Sequence, residues 1–150
     1  MGRPAAVIAG CAAALAVLAG PAPLAAHDVP SQAEVSRAVR VWKRYAECEK
    51  ARRFEPCFAL LSRNVTQAWD AQGRGRAADY AAIKDNEAVG YEAFNLLRVR
   101  KSPARVVLVV RVTGREDGRP FTRTHEYALL REGGAWKIDG KREGLHEALP

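Results

Sequence analysis

The stretches ARVVLVVRVT, residues 104–113, and FTRTHEYALLR, residues 121–131, decide the fold. Both are rich in β-branched and aromatic residues, which suit a pleated, half-buried surface. Residues directly opposite one another in an antiparallel pair share a face. If Val112 faces Phe121, then Val110 faces Arg123, Leu108 faces His125 and Val106 faces Tyr127. Val106, Leu108, Val110, Val112, Phe121, His125, Tyr127 and Leu129 then fall on one side. A tight turn at EGG, residues 132–134, adds Trp136 and Ile138 to that side. One register thus gathers nearly all the strongly apolar side chains, and this face is expected to meet the rest of the chain. The same register points Arg123, His125 and Tyr127 inward.

Two further β-rich stretches flank this pair, YEAFNLLRVR at 91–100 and AWKID at 135–139, with SP, GREDGRP and EGG as separators. A meander of four antiparallel strands is the economical reading. Phe94, Leu96, Val107 and Val109 are expected on the opposite face, where a second copy of the chain or the tail KREGLHEALP would cover them.

Upstream of Gly90 the period is helical. Ser31 is placed to cap a helix with Glu34 at the capping-box position, and Val35, Ala38, Val39, Val41, Trp42, Tyr45 and Ala46 form its apolar stripe. The helix is expected to reach about Ala51. RRFEP forms a bend, with Pro56 in the first turn of a second helix carrying Cys57, Phe58, Leu60 and Leu61. A third helical region lies within 64–84, broken by GRGR at 73–76. The fold class is α+β, with N-terminal helices packed on an antiparallel four-stranded sheet.

The beginning of the chain sets its compartment. Met1 to Ala26 has a positive charge at Arg3, an apolar run and the small-residue stretch PAPLAA, the layout of a secretory signal peptide with cleavage expected after Ala25 or Ala26. Gly20, Pro21 and Pro23 interrupt the run after about 15 residues, short of the roughly 20 that a membrane span needs. The domain therefore covers 27–150 in a periplasmic or secreted setting, without stable membrane insertion. IAGC at 8–11 matches a lipidation pattern, but too few apolar residues precede Cys11 to favour that reading.

Cys48 and Cys57 remain once the leader is removed. In an exported chain, a lone pair nine positions apart between two helices favours a disulfide, with free thiols as the alternative. No metal is expected, because two ligands make a poor zinc site and His27, His125 and His146 show no ligand spacing around them. The whole chain carries 24 basic against 17 acidic residues, a net charge of +7. The excess is thinly spread and lacks a basic stripe with interleaved aromatics, so nucleic-acid binding is not expected.

At the level of pattern the chain resembles the nuclear transport factor 2-like superfamily, which includes SnoaL-like proteins and ketosteroid isomerase. The resemblance rests on RYAECEKARRFEPCFALLS (44–62), similar to the family's opening helix hairpin, and on the terminal aromatic strand GGAWKID (133–139). It implies a strongly bent sheet wrapped around the helices, a cystatin-like α+β roll with a conical pocket. It also implies that Tyr45 matches the isomerase tyrosine that hydrogen-bonds the substrate oxygen. The proton-carrying aspartate falls at Trp69, with Asp70 one residue beyond, and the second oxyanion donor has no counterpart. Only half of a proton-transfer set is present.

The pocket candidates are Trp42, Tyr45, Trp69, Asp70, Arg123, His125 and Tyr127. Arg123 requires an acidic partner or a bound anion, and His125 is a titratable group aimed into the pocket. The favoured expectation is a non-catalytic binding or scaffold domain of the bacterial cell envelope, without a cofactor, serving a small molecule or an envelope protein. The alternatives are a small isomerase or lyase using Tyr45 with His125 or Asp70, and a pocketless interaction or inhibitor protein.

Overall fold

A computed structural model of the chain describes residues 28–143, apart from residue 74. Residues 1–27, with the expected leader, Cys11 and His27, and residues 144–150, with His146, lie outside the described residues. Helix α1 spans Gln32–Lys50, and Ser31 caps it by accepting from the Glu34 amide at 3.3 Å. The Glu34 carboxylate does not complete a capping box. It crosses instead to the sheet, accepting from Arg131 at 2.7 Å and from the Trp136 indole at 2.9 Å. The chain turns through Arg52, at φ 54°, into α2, Phe54–Phe58. The expected third helical region is two helices, α3 (Arg63–Asp70) and α4 (Ala77–Asp85), separated at the Gly- and Arg-rich stretch.

Four strands follow: β1 (Val89–Ser102), β2 (Arg105–Glu116), β3 (Arg119–Glu132) and β4 (Ala135–Arg142), forming one antiparallel sheet in the order β1-β2-β3-β4. The strands run further into the connections than the sequence suggests. GREDGRP is mostly strand, closed by the two residues Asp117 and Gly118 at φ 50° and 78°. That positive-φ pair fits the two-residue hairpin turn whose twist matches its strands. The register is therefore displaced by two residues from the expected one, with Val112 opposite Arg123, Val110 opposite His125, Leu108 opposite Tyr127 and Val106 opposite Leu129. A shift of two preserves the face of every side chain. Val106, Leu108, Val110, Val112, Tyr127, Leu129, Trp136 and Ile138 are all buried with Val35, Ala38, Trp42 and Tyr45 of α1.

Two expectations for the opposite face are corrected. Phe94 pairs with Val112 and Leu96 with Val110, so both belong to the helix-side face, and Phe94 packs against the core. Irregularities between Tyr91 and Ala93 and between Leu96 and Arg98 reset the alternation along β1. Val107 and Val109 do lie on the outer face. There Arg100 and Arg142 both bind Glu126, the residue opposite Val109. At the other edge, the Ser62 amide donates to the Ile138 carbonyl and the Ile138 amide to the Leu60 carbonyl, so the start of α3 is tied to β4.

Cys48 and Cys57 are free thiols in the structure, so the expected disulfide is not formed in it. The Cys57 thiol is directed to the backbone carbonyls of Tyr45 and Arg53. Burial first, and then the adjacent Cys48 side chain, pushes it up from the ordinary thiol range. The two side chains meet, as the helix–bend–helix reading requires.

Candidate functional site

A cavity of about 640 Å³ lies between the helices and the open end of the sheet. Its walls are aromatic and aliphatic: Tyr45 from α1, Val65 and Trp69 from α3, Tyr80 from α4, Tyr91 from β1 and Ile138 from β4. The aromatic side chains brace one another, with Tyr80 meeting Trp69 edge-on at 5.2 Å and Phe58 at 5.4 Å between ring centres. Gly114 pairs with Tyr91 across β1 and β2, and a Cβ there would stand 2.2 Å from the Gly90 carbonyl oxygen.

Polar groups enter the walls at three places. At the inner end the Tyr45 hydroxyl donates to Glu49 Oε1 at 2.7 Å and lies 3.5 Å from the Tyr80 hydroxyl. Glu49 Oε2 is 3.7 Å from Lys84 Nζ, which also donates to Glu87 at 2.7 Å. Glu49 and Lys84 are both buried. Tyr45, Glu49, Tyr80 and Lys84 sit at i and i+4 on their two helices, which sets each pair on one helix face. At the rim, Arg123 binds Glu116 and Lys141 binds Glu143. Hydrogen bonding to Glu116 raises Arg123 further above its ordinary value. Burial followed by the Glu49 charge drives the Tyr45 phenol well up, and burial does the same for Tyr80 and Tyr91. All three are therefore neutral hydroxyls at physiological pH and unsuited to act as bases; with the Tyr45 proton held by Glu49, Tyr80 and Tyr91 can donate to a ligand oxygen and Tyr45 can accept.

Of the sequence candidates, Tyr45, Trp69 and Arg123 line the cavity. Trp42, His125 and Tyr127 are buried behind its wall, with Tyr127 touching Trp42, Tyr45 and His125 at 6.0 to 6.2 Å between ring centres. Neither ring nitrogen of His125 has a hydrogen-bond partner among the described residues. Burial, reinforced by Lys141 and Arg123 against the opposing pull of Glu143, lowers His125 to about 4 and keeps it neutral. Asp70 is exposed and packs against Gly75 outside the cavity. The acidic partner that Arg123 requires is Glu116 from the adjoining hairpin strand.

Sequence reasoning missed Glu49, Tyr80, Lys84 and Tyr91. An acid at position 49 continues the Trp42, Tyr45, Ala46 stripe of α1, and that misplaced charge was the available signal. It also missed Arg52, whose guanidinium donates to the carbonyls of Val89, Asp85 and Glu87 at 2.6, 3.1 and 3.3 Å. Arg52 thereby holds the end of α4 against the start of β1 and fixes one side of the cavity mouth.

Comparison with known proteins gives a fold and no activity. No family model and no curated protein matches the chain. Among solved structures it is similar to the solution structure of a SEC-C motif containing protein from Rhodopseudomonas palustris, at 8% identity and a TM-score of 0.54, covering 72% of this chain and 79% of that one. At that identity the likeness extends to the fold alone.

Proposed function

We propose that this chain is an exported domain of the cell envelope that binds a small ligand in the cavity and does no chemistry on it. The observation that carries this reading is the cavity itself. Its size falls within the range of small-molecule sites, and its aromatic walls with a few convergent polar groups have the composition of such sites. Neutral hydroxyls at Tyr45 and Tyr80 would meet a polar end of the ligand, and the apolar walls would hold its body. In this reading the domain is a nuclear transport factor 2-like α+β roll with its sheet bent around the helices, and the leader directs it to an oxidising compartment where Cys48 and Cys57 join.

An isomerase or lyase is the second reading, favoured by the buried Tyr45–Glu49–Lys84–Tyr80 network, since buried charge near a cavity is a common mark of catalysis. It lacks an aligned base, because His125 is walled off and Glu49 is engaged by Tyr45 and Lys84. A pocketless interaction protein fits an open cavity poorly. A ligand-observed NMR screen of small amphipathic molecules, repeated on Val65→Trp, tests the proposal. Saturable binders that Val65→Trp abolishes while the fold persists would support it. Binders that ignore Val65→Trp, or none at all, would contradict it.

A further inference from the structure

A second cleft lies on the other side of α1. Arg37, Arg40 and Arg44 recur at steps of three and four, so they climb one side of the helix with Val41 among them. Arg131 and the tip of the β3–β4 hairpin form the facing wall, and Trp136 contributes to the lining, around a volume of about 590 Å³.

No acidic side chain lines this cleft. The nearby Glu34 carboxylate is already engaged by Arg37 through one oxygen and by Arg131 and Trp136 through the other. Arg40 and Arg44 are exposed and have no acidic partner among the described residues. Several other surface cations are offset, Arg76 by Asp79, Arg115 by Glu92, and Arg100 and Arg142 by Glu126, whereas here four arginines surround one recess. Like charges at three- and four-residue spacing oppose the helix that carries them. An anion seated between α1 and the hairpin would relieve that repulsion.

Guanidinium groups present planar forks that match the paired oxygens of phosphate or carboxylate. Arg40 and Arg44 are separated by about 6 Å along the helix axis, and Arg37 and Arg44 by about 10.5 Å. One small oxyanion cannot span them, whereas a molecule bearing several phosphates can. Trp136 is buried and the surface is recessed, so nothing apolar projects that would enter a lipid layer. We propose that this cleft is a binding site for a small polyphosphorylated anion, separate from the central cavity.

The test is calorimetric titration of the purified protein at low salt with pyrophosphate and with inositol hexakisphosphate, alongside vesicles containing phosphatidylglycerol. Variants Arg40→Gln/Arg44→Gln and Lys101→Gln/Arg111→Gln remove the same charge from the cleft and from the sheet, respectively. Glutamine keeps the helix propensity of arginine, and the four side chains are exposed, so both variants should fold; circular dichroism checks this. The expected result is saturable binding of the soluble phosphates, weakened at least roughly tenfold by Arg40→Gln/Arg44→Gln. The sheet variant should stay within about twofold, because distant surface charges are screened. Equal weakening by both variants, no saturable binding, or binding of the vesicles without the soluble phosphates would overturn the proposal.

Discussion

The Tyr45 hydroxyl donates to Glu49 Oε1 at 2.7 Å, one turn along α1, and this bond ties the cavity-lining Tyr45 to a carboxylate buried behind the wall. The other carboxylate oxygen faces Lys84 at 3.7 Å, and the Glu49 and Lys84 side chains are only 1% and 10% exposed. Removing one member of a buried ion pair leaves an uncompensated charge, at a cost of about 3 to 5 kcal/mol. Lys84→Met should therefore lower stability by about that amount. Glu49→Leu/Lys84→Met, which removes both charges, should recover most of the loss. Urea denaturation at neutral pH measures both, and equal losses in the single and double variants would deny the pairing.

His125 gives the protein a pH-dependent term. Its folded value of about 4 lies below the usual 6.5, so the unfolded chain takes up the proton first as pH falls. The contribution is therefore complete above pH 6.5 and lost between 6.5 and about 4, on the order of 3 kcal/mol in all. His125→Gln should flatten stability across that window and leave the steeper acid loss from Glu34 and Glu126 untouched, while Glu143, which feels the His125 charge, shifts with it. For Glu126, hydrogen bonding from Arg142 leads in holding the carboxyl low; at Glu34 and Glu143, burial works the other way and is overcome by cationic partners. Chemical denaturation at a series of pH values separates the two effects.

Gly114 should be the least replaceable glycine of the sheet. An alanine Cβ there would meet the Gly90 carbonyl oxygen at 2.2 Å and Phe121 Cζ at 2.9 Å, and the nearer obstacle is backbone. Gly114→Ala should cost at least about 1 to 3 kcal/mol. Gly90→Ala, with nothing within 4 Å of the added Cβ, should cost far less. Thermal melting of the two variants ranks them.

The free thiols of Cys48 and Cys57 should join when the protein is produced in an oxidising compartment. Intact mass under non-reducing conditions should then be lower by two hydrogens. Reductant should lower stability by roughly 2 to 3 kcal/mol, the amount expected for closing a short loop. An unchanged mass would leave the pair as packed thiols.

The sheet was legible because alternation survives small errors. Misplacing the β2–β3 turn displaced the pairing by two residues, and every side chain kept its face. Phe94 and Leu96 were not legible, because the irregularities in β1 that reset the alternation leave no mark in YEAFNLLRVR. The site was only partly readable for a related reason. Tyr45, Trp69 and Arg123 stand out by residue type, whereas Glu49 and Lys84 read as solvated charges until α1 and α4 are packed together. His125 and Tyr127 point inward as their register requires. Yet Tyr91 and the α1 aromatics shield them from the cavity, a matter of side-chain volume that strand parity does not encode.

The proposed function requires that the cavity beside Tyr45, Tyr80 and Arg123 be open and hold a small molecule. A crystal structure of the protein purified from its native envelope tests it most directly. Density for a co-purified ligand is expected against Trp69 and Tyr91, with a polar atom near the Tyr45 and Tyr80 hydroxyls. A cavity closed by Trp69 and Tyr91 packed against each other would contradict it and move the search for function to the surface of α1 and the outer face of the sheet.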